Sequence, residues 1–235
     1  MGIALGKTGI SVENGLSPAY ETILTRANGI EIRIYPKFYV AEFATENVKS
    51  AKNERLDSAF MTLAKYYGVI GKPMNEKEQS LSMTAPVIME KTTLKIDMTA
   101  PVITRVMDSS NSDIGMSFIL PNSFNNFADI PKPKDQRIKI KEIPRMVAIC
   151  YTWYGRVTDG GVSKLKEFVE MALKDELLKK LVEEDALKNN WRLAGYHPPF
   201  TLPAYQKQEV HILPEIGVDE VQKMIDVSTS QSADA

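Results

Sequence analysis

"IEIRIYPKFYVAEFA", residues 30–44, decides the fold, because its pattern returns as "RIKIKEIPRMVAICYT" at residues 137–152. Each copy opens with apolar residues alternating with polar ones, Ile30, Ile32 and Ile34 in the first and Ile138 and Ile140 in the second. A period of two places one face of a strand inward and the other outward. Each copy is then broken by proline and a base, Pro36-Lys37 and Pro144-Arg145. Proline fixes φ and has no N–H to give a ladder, so these pairs mark tight connections. Each resumes in a mostly apolar run, "FYVAEF" or "MVAICYTW". The spacing predicts two hairpins.

A helical pattern follows each copy. In "NERLDSAFMTLAKYYG", Leu56, Phe60, Leu63 and Tyr67 share one face, Asn53 is placed to cap the start and Gly68 to stop the helix. In "TDGGVSKLKEFVEMALKDELLKKL", Leu165, Phe168, Val169, Ala172 and Leu173 form an apolar stripe, with Thr158 or Asp159 as cap. Further strands are expected from "IGMSFILP" after the first helix, and from "NWRLAGYH" and "KQEVHILP" after the second. Each half therefore reads β-β-α-β-β, giving eight strands and two long helices in one duplicated α+β domain. The stretch "PNSFNNFADIPKPKDQR" between the halves is loop chemistry, and "VDEVQKMIDV" predicts a short last helix outside the core.

A second repetition lies inside the first half. MTAPVI is spelled at Met83–Ile88 and again at Met98–Ile103. A proline within an apolar run suits an edge strand or a bulge. The simple account is local duplication of a strand and its turn, since surface loops accept insertions at little cost. The sharper account makes Met83 and Met98 paired soft contacts for a flat aromatic ligand, because the thioether packs well on π-systems.

Composition narrows the field. The 235 residues are 43 % hydrophobic and 25 % charged, and 29 basic against 30 acidic residues leave a net charge of −1. No broad field draws the chain to nucleic acid or an anionic membrane. No apolar run is long enough to span a bilayer. The start, "MGIALGKTGISVENG", has neither a signal-peptide core nor transit-peptide richness in Arg and Ser, and Gly6 stands where N-myristoylation wants Ser or Thr. The single cysteine, Cys150, fits a reducing, cytoplasmic setting and reads as inert core. The chain shows no phosphate loop, no HExxH and no CxxC, and its two histidines suggest no Ser/His/Asp set, so a non-enzyme is expected.

In order along the chain, "NGIEIRIYPKFYVAEF", "AFMTLAKYYG", "MTAPVI", "SFILP" and "YHPPFTLPAYQKQEVHI" resemble the SOUL, or heme-binding protein, family, over about residues 18–214. Residues 1–17 are then an N-terminal arm and 215–235 a polar tail. The tandem MTAPVI and the opening residues look most like plant-type cytosolic members. The resemblance implies a distorted eight-stranded antiparallel barrel or sheet, flanked by two long helices, with pseudo-two-fold halves. It also implies non-covalent binding of heme or a related tetrapyrrole, as a carrier or buffer.

Some family members carry an axial histidine just before the Tyr of the first strand phrase, but this chain has Ile34 there, which cannot ligate iron. His197, in "GYHPPF", is the one candidate axial ligand, and otherwise an ordinary partly exposed residue. His211 alternates with apolar residues in "EVHILP", near the edge of a strand, and reads as an ordinary partly exposed residue without carboxylate or cysteine company. Binding without a ligand to iron is still affordable. Covering roughly 300 Å² of macrocycle at about 25 cal/mol per Å² yields on the order of 7 kcal/mol before association costs. By resemblance the platform is Phe60, Met61, Leu63, Ala64 and Lys65 on the first helix, with Phe200 of the "PPFTLP" loop opposite. Thr201 stands where some members have a lysine, which removes one propionate contact. Two other readings stay open: an interaction module, with cell-death-related partners among some relatives, offering the apolar stripe of the second helix, and a hydrolase or isomerase of small hydrophobic molecules.

Overall fold

The computed structural model describes residues 10–11, 19–44, 52–84, 87–91, 114–155, 161–183, 191–196 and 202–233. A two-residue strand β1 (Ile10–Ser11) and β2 (Tyr20–Thr25) precede the first half. That half consists of β3 (Ile30–Tyr35), β4 (Phe38–Ala44), α1 (Lys52–Tyr67), β5 (Val87–Lys91) and β6 (Ile114–Ile119). The second consists of β7 (Ile138–Ile143), β8 (Met146–Tyr154), α2 (Gly161–Leu173), α3 (Glu176–Leu181), β9 (Trp191–Gly195) and β10 (Lys207–Ile212). A final helix, α4 (Val218–Ala233), follows. The α+β class and the duplicated β-β-α-β-β plan agree with the reading of the sequence.

All ten strands join one antiparallel sheet in the order β1-β2-β3-β8-β10-β9-β5-β6-β4-β7. Omitting β1 and β2, the order is pseudo-symmetric about β9–β5. Each half surrenders its first strand: β3 pairs with β8, Ile32 opposite Ile149, and β7 pairs with β4, Ile138 opposite Phe43. The two predicted hairpins are therefore corrected. β3 and β4 are not partners, and Pro36-Lys37 and Pro144-Arg145 are crossings from one half to the other. Period-two patterning fixes which face of a strand is buried but not which strand lies beside it.

One face of the sheet carries the helices. Ile30, Ile32, Val147, Ile149, Val210 and Ile212 pack under Leu165, Phe168, Val169 and Ala172 of α2 and Leu177, Leu178 and Leu181 of α3. Burial of the α2 stripe removes the reading of that helix as a docking surface, since its apolar face is already spent on the sheet. Asp175 caps α3, accepting from the backbone N–H groups of Leu177 and Leu178. The segment expected as a short helix outside the core is a 16-residue helix, and its Val221 and Ile225 are buried in this same cluster. Its apolar residues recur three and four apart, so one face finds the core. The caps proposed at Thr158 or Asp159 lie outside the described residues.

Among the described residues, α1 is the α-helix that lies over the first half. It begins at Lys52, so Asn53 is inside it rather than at its cap. Gly68 stops it as expected, at φ +76°, where the Val69 N–H reaches back to the Ala64 carbonyl and the Gly68 N–H to that of Lys65. A Cβ there would also sit 2.6 Å from Cγ of Pro73, so glycine is required twice over. The first MTAPVI copy leads into β5, which is hydrogen-bonded on both sides, to β6 and β9. It is thus a central strand rather than the expected edge. The second copy, Met98–Ile103, lies outside the described residues.

Among the described residues, no helix lies on the other face. Tyr35, Phe38, Val40, Ile88, Ile119, Ala148 and Cys150, drawn from both halves, form one buried cluster there. The sheet curls into a half-barrel, and its inner face closes largely on itself.

Candidate functional site: an open helix flank and a sealed charge cluster

The expected ligand platform divides when placed on α1. Leu63 and Ala64 have no exposed surface and, with Ala59, Tyr66 and Tyr67, bind the helix to the sheet. Tyr66 donates its hydroxyl to the Pro131 carbonyl at 2.7 Å, and Tyr67 donates to that of Ile119 at 2.8 Å. The helix is therefore held at its C-terminal turn by polar bonds as well as by packing. Neither Leu63 nor Ala64 offers a surface in this arrangement, a correction to the platform read from the sequence. Phe60 is half-buried, its ring meeting Phe118 edge-on at 5.4 Å between centroids. Met83 is packed, half-buried, against the same apolar cluster. Met61 is 42 % exposed, and Lys65 stands one turn on along the same outward face. The structure thus gathers Phe60, Leu63 and Met83 into one cluster and leaves Met61 and Lys65 facing solvent beside it. Met98, His197, Phe200 and Thr201 lie outside the described residues.

A second constellation, absent from the sequence reading, occupies the inner face. Glu209 in β10 is fully buried and accepts from Nη1 of Arg33 at 3.0 Å to each carboxylate oxygen. Tyr196 donates to it at 2.6 Å and Thr152 at 3.1 Å, His211 Nε2 lies 2.8 Å away, and Lys207 Nζ lies at 3.4 Å. Arg33 in turn bonds Glu31 through Nε at 2.6 Å and lies over the Tyr20 ring at 4.3 Å. Cys150 is the cross-strand partner of His211. One carboxylate thereby ties β3, β8, β10 and the end of β9.

Burial raises the cost of a charge on Glu209, but the bond from His211, its charge and that of Arg33 prevail and hold the carboxyl well below the usual range. Burial likewise opposes charge on His211, and the adjacent Cys150 and Glu209 overcome it, raising the imidazole to about 10. An uncompensated ion here would cost several kcal/mol, so a carboxylate with this many donors is what makes the cluster affordable. No set of three His, Cys, Asp or Glu side chains is placed to hold a metal among the described residues. His211 lies near the end of a strand, β10, as expected, but it is buried rather than partly exposed, and carboxylate and thiol are both beside it. Cys150 is buried, as the apolar run around it implied.

The signal for this cluster was present in "IEIR" and "EVHI". Glu31 and Arg33, and Glu209 and His211, sit two apart on what alternation labels the solvent face. In a sheet that curls onto itself, that face is interior. Alternation alone cannot say which.

With this geometry in place, comparison with known proteins gives three results. The sequence pattern described as SOUL heme-binding protein matches residues 16–95 and 89–213. No curated protein matches the chain. Among solved structures, the EcmrR C-terminal domain is similar at 13 % identity and TM-score 0.47, over 81 % of this chain and 99 % of that one. EcmrR in a DNA complex is similar at 10 % identity and TM-score 0.49, over 80 % of this chain but only 57 % of the other. A hydrolase from Listeria innocua is similar at 12 % identity and TM-score 0.45, over 80 % and 91 %.

Proposed function

The chain belongs to the SOUL heme-binding protein family, and from that premise we propose that it is a tetrapyrrole carrier or buffer that grips its ligand by apolar contact, without an obligatory axial ligand. The observation that carries this reading is the outward flank of α1. Phe60 and Met61 keep apolar surface toward solvent, with Lys65 one turn from Met61 to meet a propionate. His211 is committed to Glu209 in the interior and takes no part. Met83 supplies a soft wall, and Met98 and Phe200 complete the site in this reading. The protein is read as a binder working in the cytoplasm, in keeping with its single thiol. Among the described residues no helix is long and apolar enough to cross a membrane. The hydrolase reading needs an unengaged acid in the groove, and of the acids in the Arg33 cluster Glu209 is fully buried under its donors while Glu31 is paired with Arg33.

Titration of the purified chain with hemin and with metal-free protoporphyrin, followed by the Soret band and tryptophan quenching, tests the proposal. Both should saturate in the micromolar range, which is about −8 kcal/mol. Met61→Asp should weaken both, and His197→Ala should leave the ferric spectrum unchanged. Failure of either ligand to saturate below about 100 μM, roughly −5.5 kcal/mol, rejects tetrapyrrole binding. A low-spin spectrum lost in His197→Ala rejects the ligand-free mode alone.

A further inference from the structure

The crossing at Pro36-Lys37 opens onto a cleft of about 350 Å³, lined by Pro36, Lys37, Tyr39, Leu120, Phe124 and Asn125 among others. Internal symmetry indicates what belongs in it. β6 and β10 both end in Ile-Leu-Pro, at Ile119–Pro121 and Ile212–Pro214. In the second half the chain then forms α4, which buries Val221 and Ile225 and brings Asp219 Oδ1 to 3.5 Å from Arg145 Nη1. Arg145 is the base that follows the proline of that crossing. In the first half the chain forms only a three-residue 3-10 turn, Phe127–Asp129. Its Phe127 lies edge-on to Tyr39 at 6.0 Å between centroids yet stays 52 % exposed. The turn is too short to fill the place that α4 fills. What is left is the cleft, with Pro36, Pro121 and Phe124 in its lining and Lys37, the counterpart of Arg145, beside them.

We propose that this cleft is a second ligand site, separate from the flank of α1, for a compact aromatic monocarboxylate. Its ring would rest on Pro36, Pro121 and Phe124, which keep surface toward the cleft, and its carboxylate would meet Lys37 as Asp219 meets Arg145. The volume lies at the lower end of the range of about 300–1,000 Å³ for small-molecule sites, which suits one or two fused rings. Lys37 is held only loosely at present. It reaches the Tyr39 hydroxyl at 3.3 Å and Glu142 at 3.4 Å, and both members of that ion pair are about half exposed. An exposed pair of this kind is weak and readily exchanged for a carboxylate anchored by its own ring. Glu142 is the competing acid, and Asp129 bonds Asn126 on the far side of the turn.

The experiment uses 2-naphthoate as probe, with 2-naphthamide as its neutral isostere, on the isotope-labelled full chain observed by amide NMR. Naphthoate should give saturable shifts centred on Ala19, Lys37, Phe124 and Asn125, with Kd below about 1 mM. Lys37→Gln should weaken naphthoate about fivefold and leave naphthamide unchanged, whereas Glu142→Gln should tighten naphthoate. Saturation with protoporphyrin should not displace it. Absence of saturable shifts, shifts centred on α1, displacement by protoporphyrin, or equal binding of the amide each overturn the second site, and none of them bears on tetrapyrrole binding itself.

Discussion

The two halves of the sheet are built alike and finished differently. Displaced by the same interval as the two prolines, Arg33 of β3 corresponds to Lys141 of β7, and Cys150 of β8 to Glu42 of β4. Arg33 is 3 % exposed and ends in the Glu209 cluster. Lys141 lies on an edge strand and bonds Glu42 at 2.6 Å, with its own side chain 49 % exposed. On the outer face the contrast repeats. Among the described residues three α-helices pack on the second half, whereas one, α1, covers the first and leaves Met61 outside. A duplicated scaffold thus has one half with a buried charge cluster and a sealed outer face, and one whose outer face leaves Met61 exposed.

Removing an acid from each half should break the comparison most visibly. Glu209→Ala leaves His211 buried without its anion and Arg33 with Glu31 alone, and should cost about 3–5 kcal/mol or prevent folding. Glu42→Ala removes only the partner of a half-exposed lysine and should cost less than about 1 kcal/mol. Urea denaturation of both variants reads the difference, and equal losses would show that the two halves are energetically equivalent. Truncation of the helices comes next. Phe168→Ala, beneath α2, should lose about 3–5 kcal/mol, while Met61→Ala should leave stability within about 0.5 kcal/mol and weaken only tetrapyrrole binding.

The pH dependence sharpens the contrast further. His211 is raised from the usual 6.5 to about 10, so its contribution is full below the lower value and drains away as pH climbs through the higher. Stability should therefore decline between those limits by up to about 1.4 kcal/mol per pH unit, and His211→Asn should abolish the slope. Glu209 works in the opposite sense: its carboxyl is held low, so its contribution is present above the ordinary carboxylate range and fails only under acid. The smallest effect is expected at Lys65. Its change to Gln should lower affinity for protoporphyrin a fewfold but not for the dimethyl ester, because the ester lacks the carboxylate that the ammonium would meet.

Much of this architecture was legible in the sequence. Alternation in Ile30–Ile34 and Ile138–Ile140 located the strands, and the stripe from Leu165 to Ala172 located a buried helix, because periodicity reports burial directly. Pairing was not legible. The proline-base crossings look like hairpin turns from within either half, and only long-range contacts show otherwise. Of the helix residues proposed as a platform, Phe60 and Met61 keep outward surface, whereas Leu63 and Ala64, drawn in by resemblance, face the sheet. The Glu209 cluster escaped notice because the rule that marks Arg33 and His211 as outward presumes a flat sheet.

The exchange of first strands has a consequence for biosynthesis. β3 emerges from the ribosome early and can pair on one side with β2, Ile32 opposite Leu24, yet its other ladder must wait for Ile149, and no complete half exists until the other crossing has been made. Such distant pairing makes assembly slow and leaves a sticky strand waiting in the nascent chain. For the same reason, fragments cut between β6 and β7 and expressed apart should be insoluble alone and regain the fold only when supplied together, which makes the chain a natural candidate for split-protein complementation.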